Sequence, residues 1–273
     1  MTTAKAEPID LIDIGVNLTN KAFHSDLPSV MQRARDASVR RQVVTGTTVQ
    51  ESQSAADLAA KHPGELYSTA GVHPHNAKEC DTNTIPALRE LASHPQVVAI
   101  GECGLDFNRD FSPRPDQLEW FEKQIELAIE LQMPLFMHER DAADSMLEVI
   151  RRHHKNIKAG VIHCFTGDAR TLTAYLDLGL YIGITGWICD ERRGLHLRNL
   201  VKEIPPDRLM LETDAPYLTP RSIRPKPKSR RNEPSLLTHI LEAVATCTQR
   251  SSSEVAAETT QSAERFFELD SLK

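Results

Sequence analysis

Short apolar runs alternate with amphipathic stretches along this chain. Eight of the runs read as strands: IDLIDIGV (9–16), RQVVTG (41–46), LYSTAGV (66–72), VVAIGE (97–102), PLFMH (134–138), GVIHCF (160–165), LYIGIT (180–185) and RLMLET (208–213). Several are rich in Val, Ile and Leu with little polar alternation, as parallel strands covered on both faces are. Helical patterns lie between them. Over 116–132, Leu118, Phe121, Ile125 and Ile129 recur at helical spacing. Over 141–152, Asp141 can cap the first turn and Asp144 adds charge where the helix dipole favours it. Over 168–179, Asp168 can cap, and Gly179 suits the left-handed residue that ends a helix. Two further helical patterns follow the eighth strand, around 234–248 and 254–268. Strict alternation with short connections predicts an α/β fold, a (β/α)8 barrel. The runner-up, an open doubly wound sheet, usually carries a Gly-rich phosphate loop after its first strand, where this chain reads DIGVNLTN with a single Gly. No internal repeat or low-complexity linker interrupts the rhythm. Residues 1–8 are therefore expected as a flexible tail and 9–273 as a single domain.

Polar residues stand where the apolar runs stop. Glu102 ends VVAIGE, His138 ends PLFMH, His163 ends GVIH and Asp214 follows RLMLET. A buried carboxylate without a partner is costly, so Glu102 needs a cation or a wet rim. In a barrel the C-terminal strand ends converge on the face where active sites sit. Two imidazoles and two carboxylates converging there make a divalent-metal constellation. Taken singly each is a weak signal, because a lone His after an apolar run is more often a core or rim residue. Side-chain parity turns Cys103 and Cys164 toward the helices as small buried residues. The same parity puts Glu212 on Asp214's side but deeper, in a role left open. GVHPH (71–75) brings His73 and His75 to the mouth, as substrate contacts or as a polar loop fixed by Pro74.

Composition narrows the partners. The chain is 40% hydrophobic and 26% charged, ordinary for a globular protein. No apolar run approaches the ~18 residues of a membrane span, and MTTAKAEPID does not read as a secretory signal. Five scattered cysteines without a C-x-x-C fit reduced thiols in a cytosol. A net charge of −6 attracts no nucleic acid globally, so an anionic substrate must be held by local cations. The segment 215–234 supplies them: Arg221, Arg224, Lys226, Lys228, Arg230 and Arg231, stiffened by Pro216, Pro220, Pro225 and Pro227. In a barrel this loop follows Asp214 on the catalytic face, where it can neutralise the phosphates of an entering strand. Arg192 and Arg193, after strand 7, offer a second clamp. Trp187 and Tyr217 can stack on bases or pack the loops.

Taken in order, GVHPH, GECGLDF, the strand-end His of FMHERDA, HCFTG, YIGITGW, CDERRGL and ETDAPYLTP resemble the TatD family of metal-dependent deoxyribonucleases. DIGVNLTN and SRRNEP match the TatD branch itself. The resemblance runs from about Asp13 to Pro234 and beyond. It implies a TIM-like barrel of the metal-dependent hydrolase type and a cytoplasmic enzyme. It implies hydrolysis of DNA phosphodiesters, as a 3′→5′ exonuclease on single-stranded DNA with RNA left open, in DNA repair or DNA degradation; a monomer is expected. The implied cofactor is a divalent ion, Mg2+ ahead of Mn2+ or Zn2+, although two imidazoles by themselves favour Zn2+ or Mn2+. By position, Glu102, His138 and His163 match metal ligands, and Asp214 matches the acid that binds metal or handles the proton. Catalysis would rest on Glu102 and Asp214, with His73, His75, Arg192, Arg193, Arg221, Arg230 and Arg231 touching substrate. Many relatives carry H-x-H at the end of strand 1. Here Gly15-Val16-Asn17 stands there, so one firm metal is expected and a second, weaker one with substrate phosphate. Two rivals stand beside this reading. One is a hydrolase of another bond, such as an aminoacyl-tRNA ester or an amide, on the same barrel. The other is a non-catalytic quality-control or binding protein.

Overall fold

The computed structural model describes residues 10–227 and 229–269. The tail expected over 1–8 and the basic residue Lys228 lie outside them. Eight parallel strands pair in sequence order: β1 (Leu11–Val16), β2 (Val39–Val44), β3 (Leu66–Ala70), β4 (Val97–Asp106), β5 (Leu135–Arg140), β6 (Gly160–His163), β7 (Tyr181–Ile184) and β8 (Leu209–Leu211). Just beyond β8 the chain returns to β1, where Asp214 N–H donates to Gly15 O and Asn17 N–H to Ala215 O, each at 2.8 Å. The sheet thereby curls into the expected (β/α)8 barrel. Helices α1 (Leu27–Asp36), α2 (Val49–Ala60), α3 (Thr84–Leu91), α4 (Arg114–Leu131), α5 (Ala143–His153), α6 (Ala169–Asp177), α7 (Leu197–Leu200), α8 (Leu237–Thr248) and α9 (Ser252–Phe267) alternate with the strands or follow them.

Two apolar layers hold the barrel. Strand residues including Ile12, Ile14, Val43, Phe136, Val161 and Met210 form one cluster with Phe266 and Phe267 of α9. A larger layer between strands and helices contains Ile100, Leu135 and Ile162 with Phe121, Ile125, Met146 and Tyr175. Each fully buried aliphatic or aromatic side chain here contributes about 1.5–3 kcal/mol.

Local signals act at the helix ends. Asp168 caps α6 by accepting the Thr171 N–H at 2.8 Å, and Gly179 takes the left-handed φ of 71° beyond its end. Asp141 does not cap α5. It bonds Asn108 Nδ2 instead, and Glu139 accepts the Ala142 N–H at 2.7 Å. The one boundary with functional weight is that of β4, which runs four residues past Glu102 because Cys103 to Asp106 continue the ladder with Met137 to Arg140.

Candidate active site

The strand ends deliver their polar side chains to one cavity of about 760 Å³ at the C-terminal mouth. Its lining includes His73, His75, Glu102, Asp106, His138, His163, Cys164 and Asp214. Glu102 is the hub. Its Oε1 stands 2.7 Å from His163 Nε2, 3.0 Å from His138 Nδ1 and 3.3 Å from His73 Nε2. The pairing of β5 with β6 puts His138 level with His163. Burial pushes the Glu102 carboxyl up, but the imidazoles prevail and hold it well below the carboxylate range. Burial likewise opposes charge on His163, yet Glu102 and Glu212 raise it well above its ordinary value.

Each imidazole is oriented from behind. Glu212, fully buried, approaches His163 Nδ1 to 3.2 Å with Oε2 and accepts the Cys164 N–H with Oε1. This gives the deeper acid its role. His163 is thus held as an imidazolium between two carboxylates, and a cation that displaced the Nε2 proton would leave the Nδ1 proton on Glu212. His73 is set the other way. Its Nδ1 accepts the His75 N–H at 3.1 Å, so the neutral ring carries its proton on Nε2. Burial lowers the His73 pKa to about 4, and the ring stays neutral at pH 7.

Glu212 also explains Gly15. A Cβ at position 15 would collide with Glu212 Oε2, and one at Gly183 would meet Oε1 from the other side. No imidazole fits at position 15 beside this carboxylate. Asn17 turns to Asp214 instead, donating from Nδ2 to Oδ1 at 3.1 Å. Burial, with Glu102 and Glu212 adding to it, pushes Asp214 up to about 7 against the pull of His163.

Several residues at the mouth escaped the sequence reading. Asp106 Oδ2 takes His75 Nε2 at 2.6 Å and lies 3.4 Å from His138 Nε2. Burial resists its charge, but His138 and His75 hold its carboxyl below the usual range. The signal was the second acid of GECGLDF, four residues after Glu102 on a strand longer than expected. Lys78, Arg109, Phe111 and Arg140 also line the cavity. Cys164 does not face the helices. The strand stops at His163, Cys164 turns to a φ of 48° and is among the residues lining the cavity, and burial pushes its thiol pKa up to about 12.

Of the residues expected to touch substrate, His73, His75 and Arg193 line the cavity. Arg193 is tied to Asp190 at 3.1 Å and lies 4.2 Å from the Trp187 ring. Arg192 stands 3.8 Å from Asp190, and Arg221 pairs with Glu191 at 3.2 Å. Arg231 is outside the cavity, bonded to Asp26 at 2.7 Å and Glu233 at 2.8 Å. Arg224, Lys226 and Arg230 are exposed and do not line the cavity either.

The donor set fits a divalent cation. His73, Glu102 and His138 each bring one ligand atom within 4.8 Å of the others, and His163 Nε2 joins them on Glu102. His138 Nδ1 stands 3.4 Å from His163 Nε2 and 3.0 Å from Glu102 Oε1, so three potential ligand atoms converge. The family described as TatD related DNase matches residues 12–268. The chain belongs to the TatD-related DNase family. Among TatD relatives, the 3′-5′ ssDNA/RNA exonuclease TatD of Erwinia tasmaniensis is 51% identical over 259 residues, 95% of this chain and all of that protein. The TatD exonuclease of Salmonella typhimurium is 48% identical over 95% of this chain and 99% of its own. A TatD family hydrolase from Entamoeba histolytica superposes with a TM-score of 0.85 at 27% identity, covering 94% of this chain and 98% of that one. The TatD family is one of metal-dependent hydrolases, and this donor set could hold such a metal.

Proposed function

We propose that the protein is a metal-dependent exonuclease that shortens single-stranded DNA from its 3′ end, with RNA as a second substrate and Mg2+ as its working ion. The carrying observation is the crowding of three imidazoles on one buried oxygen of Glu102. That is a donor set for a cation more than a finished hydrogen-bond network. The likeness to relatives named as ssDNA/RNA exonucleases supports the strand substrate.

Donor chemistry sorts the roles. His163 can give up its Nε2 proton to a cation and ligate through that nitrogen, because Glu212 holds the proton on Nδ1. With Glu102 and His138 it makes the ligand set we assign. His73 also brings a ligand atom within 4.8 Å of those of Glu102 and His138, but its Nε2 carries a proton, so we assign it as a donor to substrate beside the ion. A bound divalent ion supplies a water of lowered pKa and neutralises charge on the phosphoryl oxygens. Asp214, held by Asn17 and raised to about 7, is suited to take a proton and return it near neutral pH. His75, fixed by Asp106, presents its ring to the mouth. Mg2+ keeps several oxygen ligands, so strand phosphate and water would complete its shell.

All five cysteines are unpaired, which supports a reducing cytoplasm. No helix among the described residues is long and apolar enough to cross a membrane. Removal of 3′ nucleotides would serve DNA repair or DNA degradation. The test is digestion of 5′-labelled single-stranded DNA and RNA with Mg2+, Mn2+, Zn2+ or EDTA. The expected result is a ladder receding from the 3′ end that EDTA abolishes. Intact strands with all three ions, or hydrolysis of an aminoacyl-tRNA ester instead, would overturn the reading.

A further inference from the structure

Among the described residues, three large hydrophobic side chains are strongly exposed: Phe111, Leu195 and Tyr217. Two of them, Phe111 and Tyr217, line the one cavity described above. Tyr217 is engaged, since its hydroxyl accepts from Asn20 Nδ2 at 3.1 Å. Phe111 is 55% exposed and meets the His75 ring edge-on, with centroids 4.7 Å apart. The rest of its surface is open.

The loop that carries Phe111 is held firmly. Asp106 Oδ1 accepts the N–H groups of Asn108 and Arg109 at 3.0 and 2.8 Å. Ser112 Oγ accepts the Lys78 N–H at 3.1 Å and donates to His75 O at 2.8 Å. Gln117 Nε2 donates to Ser112 O at 2.8 Å. The carboxylate that fixes His75 therefore also fixes the backbone that presents Arg109 and Phe111. Lys78 and Arg109 line the same cavity as Phe111, and neither side chain meets a carboxylate among the described residues. Across the mouth the Arg193 guanidinium is already paired with Asp190, and outside the cavity Arg221 is paired with Glu191.

We propose that this rim is a nucleotide subsite, in which Phe111 stacks on a base of the incoming strand while Lys78 and Arg109 hold the adjacent phosphates. The proposal rests on the exonuclease reading and locates its strand on the β3–β4 side of the mouth. Stacking on Phe accepts any base, because each has a π-face. The two free cations supply the attraction that a net charge of −6 withholds.

The test compares wild type with Phe111→Ala, Phe111→Trp, Lys78→Ala and Arg109→Ala on a single-stranded oligonucleotide and on bis(p-nitrophenyl) phosphate, which has no base. For Phe111→Ala, the ratio of kcat/KM on the oligonucleotide to that on the small diester is expected to fall about tenfold, through KM. Phe111→Trp should restore it. Lys78→Ala and Arg109→Ala should each flatten the salt dependence of strand binding by about 0.7. An unchanged ratio in Phe111→Ala, or equal loss on both substrates that Trp does not restore, would overturn the subsite. Strand binding in EDTA, read by fluorescence anisotropy, separates the two claims. If wild type binds the strand and Phe111→Ala binds about tenfold more weakly, but no ion brings hydrolysis, the subsite stands and the nuclease reading falls.

Discussion

On the β7–β8 side of the mouth several charges are closed on others: Arg193 on Asp190, Arg221 on Glu191, Arg231 on Asp26 and Glu233. On the floor and the β3–β5 side, charges are left open. Three imidazoles share one oxygen of Glu102, and Lys78 and Arg109 reach the cavity without a carboxylate. Arg140 is similarly open, 5.3 Å from the Trp187 ring. Closed pairs hold loops in place. Open charges are available to a ligand, and they accumulate where a ligand is to be held. Substitutions in the open region should therefore cost activity with little stability, and those in the closed region the reverse.

The largest effect is expected at Glu102. Glu102→Gln keeps the shape but removes the charge that gathers the imidazoles. It should lower kcat/KM on single-stranded DNA on the order of 10³-fold, since preorganised charge at such a site is worth about 3–4 kcal/mol. A loss below tenfold would break the comparison at its centre. Asp214→Asn should lower kcat by about 10²-fold or more, as removal of a proton-transfer group does. Its KM should move little, which single-turnover and steady-state rates together would show.

Smaller effects are expected on the closed side. Arg231→Ala removes two carboxylate contacts, a bond to Ala22 O and packing against the Phe23 ring. Exposed pairs are worth about 0.2–1 kcal/mol each, so the loss should be about 1–2 kcal/mol in urea unfolding, with kcat/KM on strands kept. The pH dependence of that loss sharpens the point. Hydrogen bonds from Arg231 lower Asp26 from 3.8 against slight burial, and Glu233 is lowered from 4.5 by Arg33 and Arg231 despite the larger opposing effect of burial. The folded protein binds fewer protons at these carboxyls than the unfolded chain. Their contribution is thus fully present above the unfolded values of 3.8 and 4.5 and fades as pH falls through the lower folded values. The stability gap between wild type and Arg231→Ala should be widest near neutral pH and close in acid. A constant gap would mean that packing, not charge, accounts for Arg231.

Much of this was legible from hydrophobic runs. All eight strands lie where the runs are, and the polar residues closing runs four, five and six, Glu102, His138 and His163, meet at the mouth because register in a parallel barrel aligns strand ends. Asp106 was not legible, since two glycines in GECGLDF mask a strand whose length is set by pairing with β5. Cys164 escaped because parity holds only while the strand lasts. The basic loop misled for another reason. Charge in a segment says nothing of its partners, and Arg231 finds Asp26 some two hundred positions away. Phe111 and Lys78 reach the site through loops, and no periodicity marks them.

Calorimetric titration of Mn2+ into metal-stripped protein, beside Glu102→Gln and His163→Ala and followed by strand hydrolysis at each ratio, tests the central claim most directly. The account predicts one firm equivalent in the wild type, hydrolysis rising in step with it, and loss of both in the two variants. Wild-type hydrolysis that persists in EDTA, or variants that bind the ion as tightly as wild type, would contradict it.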